Sequence, residues 1–134
     1  MVTITGHPWC VRIPALLATS HKPLPMLSPF IDKSQCVHHR IFPGVDIYTC
    51  CGAEMMLSLV EMQPHSVVEP HSHPHEQVGL MLEGTAVFTI GNEQRTIGPG
   101  QMWRIPGGVI HQVVAGDQPV RALDVFHPIR DDYR

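Results

Sequence analysis

The sequence lacks the features that mark a nucleic-acid-binding, membrane-spanning or disulfide-rich protein. Nine basic and twelve acidic residues give a net charge of −3 with no basic run, so nucleic acid is not an expected partner. No apolar stretch is long enough to span a membrane, and the N-terminus lacks the basic region of a signal peptide. The four cysteines form no Cys-x-x-Cys pair, which favours free thiols. We therefore expect a cytoplasmic protein with reduced cysteines.

Proline, by contrast, is concentrated near the N-terminus. Six of the 13 prolines lie in the first 43 residues, and this spacing excludes long helices and central strands there. At 134 residues the chain is expected to form one domain. We predict that residues 1–43 form an N-terminal extension of short turns or edge strands that wraps a β-barrel, and that residues 44–134 form the barrel itself.

From residue 45 onward, short β-favouring runs recur between glycine, proline and asparagine residues. The eight predicted strands are residues 45–51, 54–62, 77–82, 85–90, 93–97, 101–105, 111–114 and 120–126. Many short strands with regular turn signals are typical of a sandwich or barrel, so we predict an all-β fold. Gly91-Asn92 is predicted to form a hairpin turn between two of these strands.

A group of histidines near the middle of the chain predicts a metal site. His71 and His73 are two residues apart, so on an extended segment both side chains project from one face, about 6.6 Å apart. Pro74 argues for a bend that lets the Gln77 amide turn back towards the pair. His111 follows a Pro-Gly-Gly turn and completes a set of three imidazoles and one amide. Alternatively, Gln77 holds a bound water beside the metal.

The first histidine segment resembles the first of two paired motifs of the cupin superfamily. That motif reads Gly, five residues, His-x-His, three or four residues, Glu, six residues, Gly. The chain matches it at His71, His73 and Gly84. It departs from it at His65, which replaces the first Gly, and at Gln77, which replaces the ligand Glu.

The second cupin motif reads Gly, five residues, Pro-x-Gly, two residues, His, three residues, Asn. Gly100, Pro106, Gly108 and His111 match this motif, and Ala115 replaces the Asn. The resemblance implies the cupin fold, a double-stranded β-helix or jelly-roll barrel. It also implies one divalent transition metal ion per chain, whether nickel, iron, manganese or zinc.

The last predicted strand carries a carboxylate in an apolar setting. Asp124 lies mid-strand, where a charge is costly unless it is paired or functional. Alternation places Ala122, Asp124 and Phe126 on one face, and if this face lines the cavity, Asp124 and Phe126 lie beside the metal. Alternatively, Asp124 caps a turn or pairs with Arg104 or Arg121.

The stretch from Asp124 to Arg130 reads Asp-x-Phe-x-Pro-x-Arg and is similar to the end of the KdgF-type cupins, which linearise 4,5-unsaturated monouronates. The resemblance covers about residues 54–134. It implies three metal-binding histidines and a metal-binding glutamine at His71, His73, His111 and Gln77. It further implies that Asp124, Phe126 and Arg130 line the cavity as catalytic residues.

These residues lead to one functional hypothesis and two alternatives. Neutral ligands leave a divalent ion uncompensated, so it acts as a strong Lewis acid suited to isomerisation or ring opening. We predict a metal-dependent enzyme acting on a carboxylated small molecule, such as a 4,5-unsaturated uronate. In it Arg130 binds the carboxylate and Asp124 moves a proton. The alternatives are a cupin dioxygenase that uses iron, copper or nickel with O₂, and a non-enzymatic ligand-sensing module.

The strand that carries Gln77 also predicts an oligomer. If Gln77 faces the metal, Val78, Leu80 and Leu82 point outward, so the outer face is apolar as well. Such a face needs a cover, supplied either by the N-terminal segment or by a second subunit. Since a two-fold dimer is the commonest solution, we expect a homodimer.

Overall fold

The structure is a computed structural model that describes residues 28–134. The predicted wrapping of the barrel by the first part of the chain lies outside these residues. Ten strands follow one another, with a single 3-10 turn before the first and another after the last, at Lys33–Gln35 and Asp131–Tyr133. The strands are β1 Val37–Phe42, β2 Val45–Cys51, β3 Met56–Met62, β4 Val67–His71, β5 Glu76–Glu83, β6 Ala86–Ile90, β7 Glu93–Ile97, β8 Met102–Ile105, β9 His111–Ala115 and β10 Val120–His127.

The strands form two antiparallel sheets that face each other. One sheet has six strands in the order β1-β2-β3-β10-β5-β8, and the other has four in the order β4-β9-β6-β7. Buried apolar side chains from both sheets form the core between them, among them Ile47, Met81 and Phe88. This arrangement is the predicted jelly-roll barrel, and the all-β prediction is confirmed.

All eight predicted strands are present, with ends that differ by two residues at most. The predicted hairpin is also confirmed, because Ile90 pairs with Glu93 across the Gly91-Asn92 turn. Two further strands lie outside these eight. Residues 37–42, which fall within the predicted N-terminal extension, form the edge strand β1 and pair with β2, so the strands of the barrel begin before residue 44. The other added strand is β4, which contains Pro70.

Residues 65 and 84, at the two ends of the first cupin motif, both have a positive φ. His65 stands where the cupin motif has a glycine, and it adopts a left-handed φ of 64° in the turn between β3 and β4. At the other end of the same motif, Gly84 has a φ of 77°, and a β-carbon there would collide with the carbonyl oxygen of Pro119. Glycine is therefore required at residue 84, whereas residue 65 tolerates a side chain at some cost in strain.

The alternation predicted for β5 is confirmed. Gln77 and Met81 are buried, whereas Val78 and Leu82 are 41% and 38% exposed. Side chains from neighbouring strands extend this outer surface, since Leu57 on β3 and Met102 on β8 are also exposed. The outer face of the six-stranded sheet is therefore apolar across several strands.

Candidate metal centre

The two motifs meet at one end of the barrel. His71 is the last residue of β4 and pairs in register with His111, the first residue of β9. His73 follows in the connection to β5, and one ring nitrogen from each of the three histidines lies within 4.8 Å of the others. The strand ends at His71, so His73 reaches the site from the connection that follows and not from β4 itself.

Hydrogen bonds fix how each imidazole is presented. The Nδ1 atoms of His71, His73 and His111 lie 2.8, 3.1 and 2.9 Å from the backbone carbonyl oxygens of Glu69, His75 and Val109. A carbonyl oxygen only accepts, so in each ring Nδ1 carries the hydrogen and Nε2 keeps its lone pair. This is the arrangement found behind metal-binding histidines, where a backbone carbonyl orients the ring.

The protonation of the rings suits the same role. Burial, reinforced by the charge of Arg130, lowers the pKa of His73 to about 4. Burial also lowers the pKa of His111, although the hydrogen bond to Val109 opposes it. Both rings are therefore neutral near pH 7, and the neutral imidazole is the form that binds metal.

Gln77 lies beside the histidines at the start of β5. Its Oε1 is 3.1 Å from Nε2 of His73. Both atoms are acceptors in the tautomer described above, so no hydrogen joins them. Two acceptor atoms this close are the kind of pair that a shared cation would hold together. The donor set therefore fits an ion shared by His71, His73, His111 and Gln77.

Asp124 and Gln77 line the same cavity. Asp124 accepts a hydrogen bond of 3.0 Å from the Trp103 indole nitrogen. Burial raises the pKa of Asp124 to about 6, although Gln77, Trp103 and the charge of Arg130 oppose the rise.

The alternative roles for Asp124 do not match this geometry. Arg121 lies on the opposite face of β10 and donates to Glu83 at 3.0 Å. Arg104 is exposed on β8. The Asp124 carboxylate instead points inward and lines the cavity with Phe126 and Arg130.

Comparison with known proteins agrees with the motifs. The model of the cupin domain matches residues 58–126, which is just over half of the chain. The chain belongs to the cupin family. Two curated relatives match it: the dimethylsulfoniopropionate lyase DddW of Ruegeria pomeroyi, 34% identical over 68 residues, and the H2HPP isomerase of Bacillus subtilis, 30% identical over 90 residues. The matches cover 51% and 61% of this chain, but only 45% and 36% of those proteins.

Solved cupin structures superimpose on a larger part of the chain. KdgF from a Halomonas species has a TM-score of 0.71 at 25% identity, and the match covers 79% of this chain and 98% of that one. An RmlC-like cupin from Shewanella frigidimarina has a TM-score of 0.73 at 21% identity, covering 81% and 97%, and shows the fold alone. This cupin therefore resembles small single-domain members of the family, KdgF among them.

The prediction that Arg130 binds a substrate carboxylate with two guanidinium nitrogens requires those nitrogens to be free. In this cupin they are not free. The Nε and one terminal nitrogen of Arg130 donate to the two carboxylate oxygens of Asp132 at 3.2 and 2.7 Å. Its guanidinium carbon lies 3.9 Å from the ring centre of Tyr133 and 5.2 Å from that of Phe126. Arg130 is buried, and these contacts fix the guanidinium between two rings at the edge of the site.

Sequence reasoning missed the part that Trp103 plays. Its indole packs against Phe88 with ring centres 4.4 Å apart and crosses Gly79 on the neighbouring strand to reach Asp124. A β-carbon on Gly79 would collide with the indole. The glycine in an otherwise apolar strand was the available signal, since such a residue often marks a close approach of another group.

The cavity behind the histidines is small. It has a volume of about 60 Å³, and its lining is mostly apolar apart from the polar side chains of Ser58, His71, Gln77, His111, Asp124 and Arg130. Within residues 28–134, no helix has the length and hydropathy needed to cross a membrane.

Proposed function

We propose that this cupin is a metal-dependent enzyme that moves a proton on a small carboxylated substrate. The specific reaction we propose is the ring opening of 4,5-unsaturated uronates. The observation that carries the proposal is a buried carboxyl group, Asp124, that lines the same small cavity as the neutral ligands His71, Gln77 and His111. The likeness to KdgF over most of both chains supports the choice of substrate.

The ligand set defines what a bound ion contributes. His71, His73, His111 and Gln77 would hold one divalent ion of nickel, iron, manganese or zinc. When bound, such an ion polarises a substrate oxygen and lowers the pKa of its proton, since neutral ligands leave its charge uncompensated. Ligand types alone do not select among these metals.

The side chains of the cavity perform the remaining steps of the proposed reaction. A group with a pKa of about 6 exchanges a proton readily near neutral pH, so Asp124 can take a proton from oxygen and return it to carbon. Trp103 holds the carboxyl group in place by a hydrogen bond of 3.0 Å. The second terminal nitrogen of Arg130, together with its charge, attracts the substrate carboxylate. Phe126 packs edge-on against His73, with ring centres 5.6 Å apart, and shapes the wall.

A second candidate is an oxygen-dependent cupin dioxygenase. The cavity volume favours it, because about 60 Å³ is far below the roughly 300 Å³ at which pockets for drug-sized ligands begin. A uronate would require the lining side chains to move, whereas O₂ and a small co-substrate would fit with less adjustment. A ligand-sensing module is the third class, and turnover of either kind would argue against it.

The experiment that separates these candidates measures metal and turnover on the same sample. The purified chain is first analysed for bound metals and then mixed with unsaturated uronates released by a lyase. Loss of the absorbance of the substrate double bond, with no uptake of oxygen, is the expected result. Oxygen uptake with unchanged absorbance of the uronate would favour the dioxygenase. No change in either, with metal bound, would contradict both enzymatic candidates.

Arg130→Lys tests the binding of the carboxylate. Lysine keeps the charge but loses the planar fork that Asp132 holds and the stacking on Tyr133, so the charge moves away from the cavity. We expect a raised KM for the uronate with a smaller change in kcat. Asp131, an exposed residue of the same 3-10 turn, provides the matched control as Asp131→Asn. An unchanged KM in Arg130→Lys would exclude Arg130 from substrate binding.

We also propose that two copies of the chain pair through the outer face of the six-stranded sheet. Leu123 on β10 lies opposite Leu59 on β3 and Leu80 on β5. Two residues further along β10, on the same face, Val125 lies opposite Leu57 and Val78. These residues form a continuous apolar patch in the middle of the sheet. Exposed patches of this kind mark association surfaces, and a two-fold pairing covers both copies at once.

A further inference from the structure

Two cysteines outside the metal centre are aligned across neighbouring strands. Val37, the first residue of β1, pairs with Thr49 on β2. The next pair of an antiparallel ladder would therefore set Cys36 opposite Cys50. Cys36 has φ −71° and ψ 152° and lies at a bend between the 3-10 turn and β1, one residue before the first pair of the ladder. Its thiol lies 3.8 Å from the Asp32 carbonyl oxygen. Directly opposed side chains lie on the same face, so an extension of the ladder by one pair would bring the two thiols together.

The backbone hydrogen bonds of β2 show whether Cys36 and Cys50 would form a hydrogen-bonded or a non-hydrogen-bonded pair. The carbonyl oxygen of Gly44 accepts from the Gln63 amide on the β3 side, so even-numbered residues of β2 bond to β3 and odd-numbered residues bond to β1. Cys50 thus faces Cys36 without a backbone bond between them, and the Cys36 amide donates to Lys33 instead. Opposed residues of this type have α-carbons about 4.5 Å apart, within the range of about 4.4–6.8 Å that a disulfide spans.

The surroundings hold the two thiols near each other. Burial raises the pKa of Cys36, and the charge of Cys50 raises it further, which places the thiols within electrostatic reach. Lys33 bonds Glu61 at 2.7 Å and lies 4.0 Å from the ring centre of Tyr48, so the segment before β1 is already fixed against the sheet. Cys51 follows Cys50 in the strand, projects to the opposite side and is exposed.

We propose that Cys36 and Cys50 form a reversible disulfide that links the segment before β1 to β2. The oxidant is a small disulfide such as glutathione disulfide. One protein thiolate attacks a sulfur of the oxidant, forms a mixed disulfide and releases one small thiol. The second protein thiolate then attacks the protein sulfur of that mixed disulfide and releases the other. The protein loses two protons and two electrons, and the oxidant gains them as two thiols.

The test uses the full chain in a Cys51→Ser background. Trypsin places Cys36 in residues 34–40 and Cys50 in residues 41–95, which otherwise hold Cys51 as well. After incubation with excess glutathione disulfide, the two peptides should be joined, with a mass two hydrogens below their sum. Treatment with dithiothreitol should separate them. The linked chain should also melt at a higher temperature than the same sample after reduction.

Two matched variants make the outcome decisive. Cys36→Ser and Cys50→Ser should each give a stable glutathione adduct on the remaining thiol and no joined peptide. The proposal is overturned if the parent chain accumulates adducts on both cysteines without the link. It is equally overturned if Cys36 or Cys50 is joined to Cys10, or to another chain.

Discussion

The close approach of Trp103 to Gly79 predicts that a single methyl group will damage both stability and the site. In most strands, replacing glycine by alanine stabilises by about 0.4–1 kcal/mol, because it restricts the unfolded chain. At Gly79 the new β-carbon would meet the indole, which must move. Overpacking of this kind costs about 1–3 kcal/mol, and loss of a hydrogen bond to a buried charged group adds about 1.5–3 kcal/mol. We expect Gly79→Ala to destabilise by roughly 3–5 kcal/mol.

A double-mutant cycle identifies the cause. Trp103→Phe removes the donor to Asp124 and also the indole atoms that the new methyl group would meet. The double variant should therefore be less destabilised than the sum of the single variants, by about 1–3 kcal/mol. Gly98→Ala is the control, because its β-carbon would meet nothing closer than 3.8 Å.

Urea unfolding of the chelator-treated chain measures these free energies without a contribution from bound metal. Additive effects of Gly79→Ala and Trp103→Phe would refute the steric explanation. A neutral or stabilising Gly79→Ala would do the same, because it would show that the indole does not lie across the glycine.

The remaining predictions concern the ion, the proton and the dimer. His111→Ala should lose most of the bound metal, measured by elemental analysis, while remaining folded. The control is His127→Ala, which should keep full metal occupancy because His127 is exposed and lies outside the site. Gln77→Glu adds a negative ligand, so metal content should hold while turnover falls; unchanged turnover at full occupancy would place Gln77 outside the ligand set. Asp124→Asn keeps the shape but cannot carry the proton, so kcat for the uronate should fall by about 10²–10⁴-fold, and an unchanged kcat would remove Asp124 from the chemistry. Val78→Lys places a charge in the apolar outer face and should give a monomer by light scattering, whereas a dimer that persists would argue against that interface.

The composition of the strands separates the eight that sequence patterns located from the other two. The eight predicted strands carry β-branched and apolar runs between turn residues. The other two, β1 and β4, lie at the edges of their sheets, as do the predicted strands β7 and β8. An edge strand pairs on one side only, so it tolerates the histidines of β1 and Pro70 in β4. These residues, and not edge position alone, interrupt the pattern that identifies a strand.

The site divides in a similar way. Spacing alone indicated three histidines and a glutamine, because both motifs are short and local. The hydrogen bond from Trp103 to Asp124 spans 21 residues and depends on the register of β5 between β8 and β10. The pairing of Arg130 with Asp132 is local, but it depends on a 3-10 turn after the last strand. Such contacts follow from strand pairing and chain direction, which residue types do not specify.

The charges around the cavity support the anionic substrate that we propose. Gln77 stands where the cupin motif has a glutamate, so the ligand set brings no negative charge to a bound ion. Asp132 is exposed and only partly screens Arg130, whose charge still lowers the pKa of His73 and His111. The one carboxylate inside, Asp124, has its pKa raised by burial to about 6. Because an uncompensated positive charge is costly in a buried site, a substrate carboxylate is the group that best balances this one.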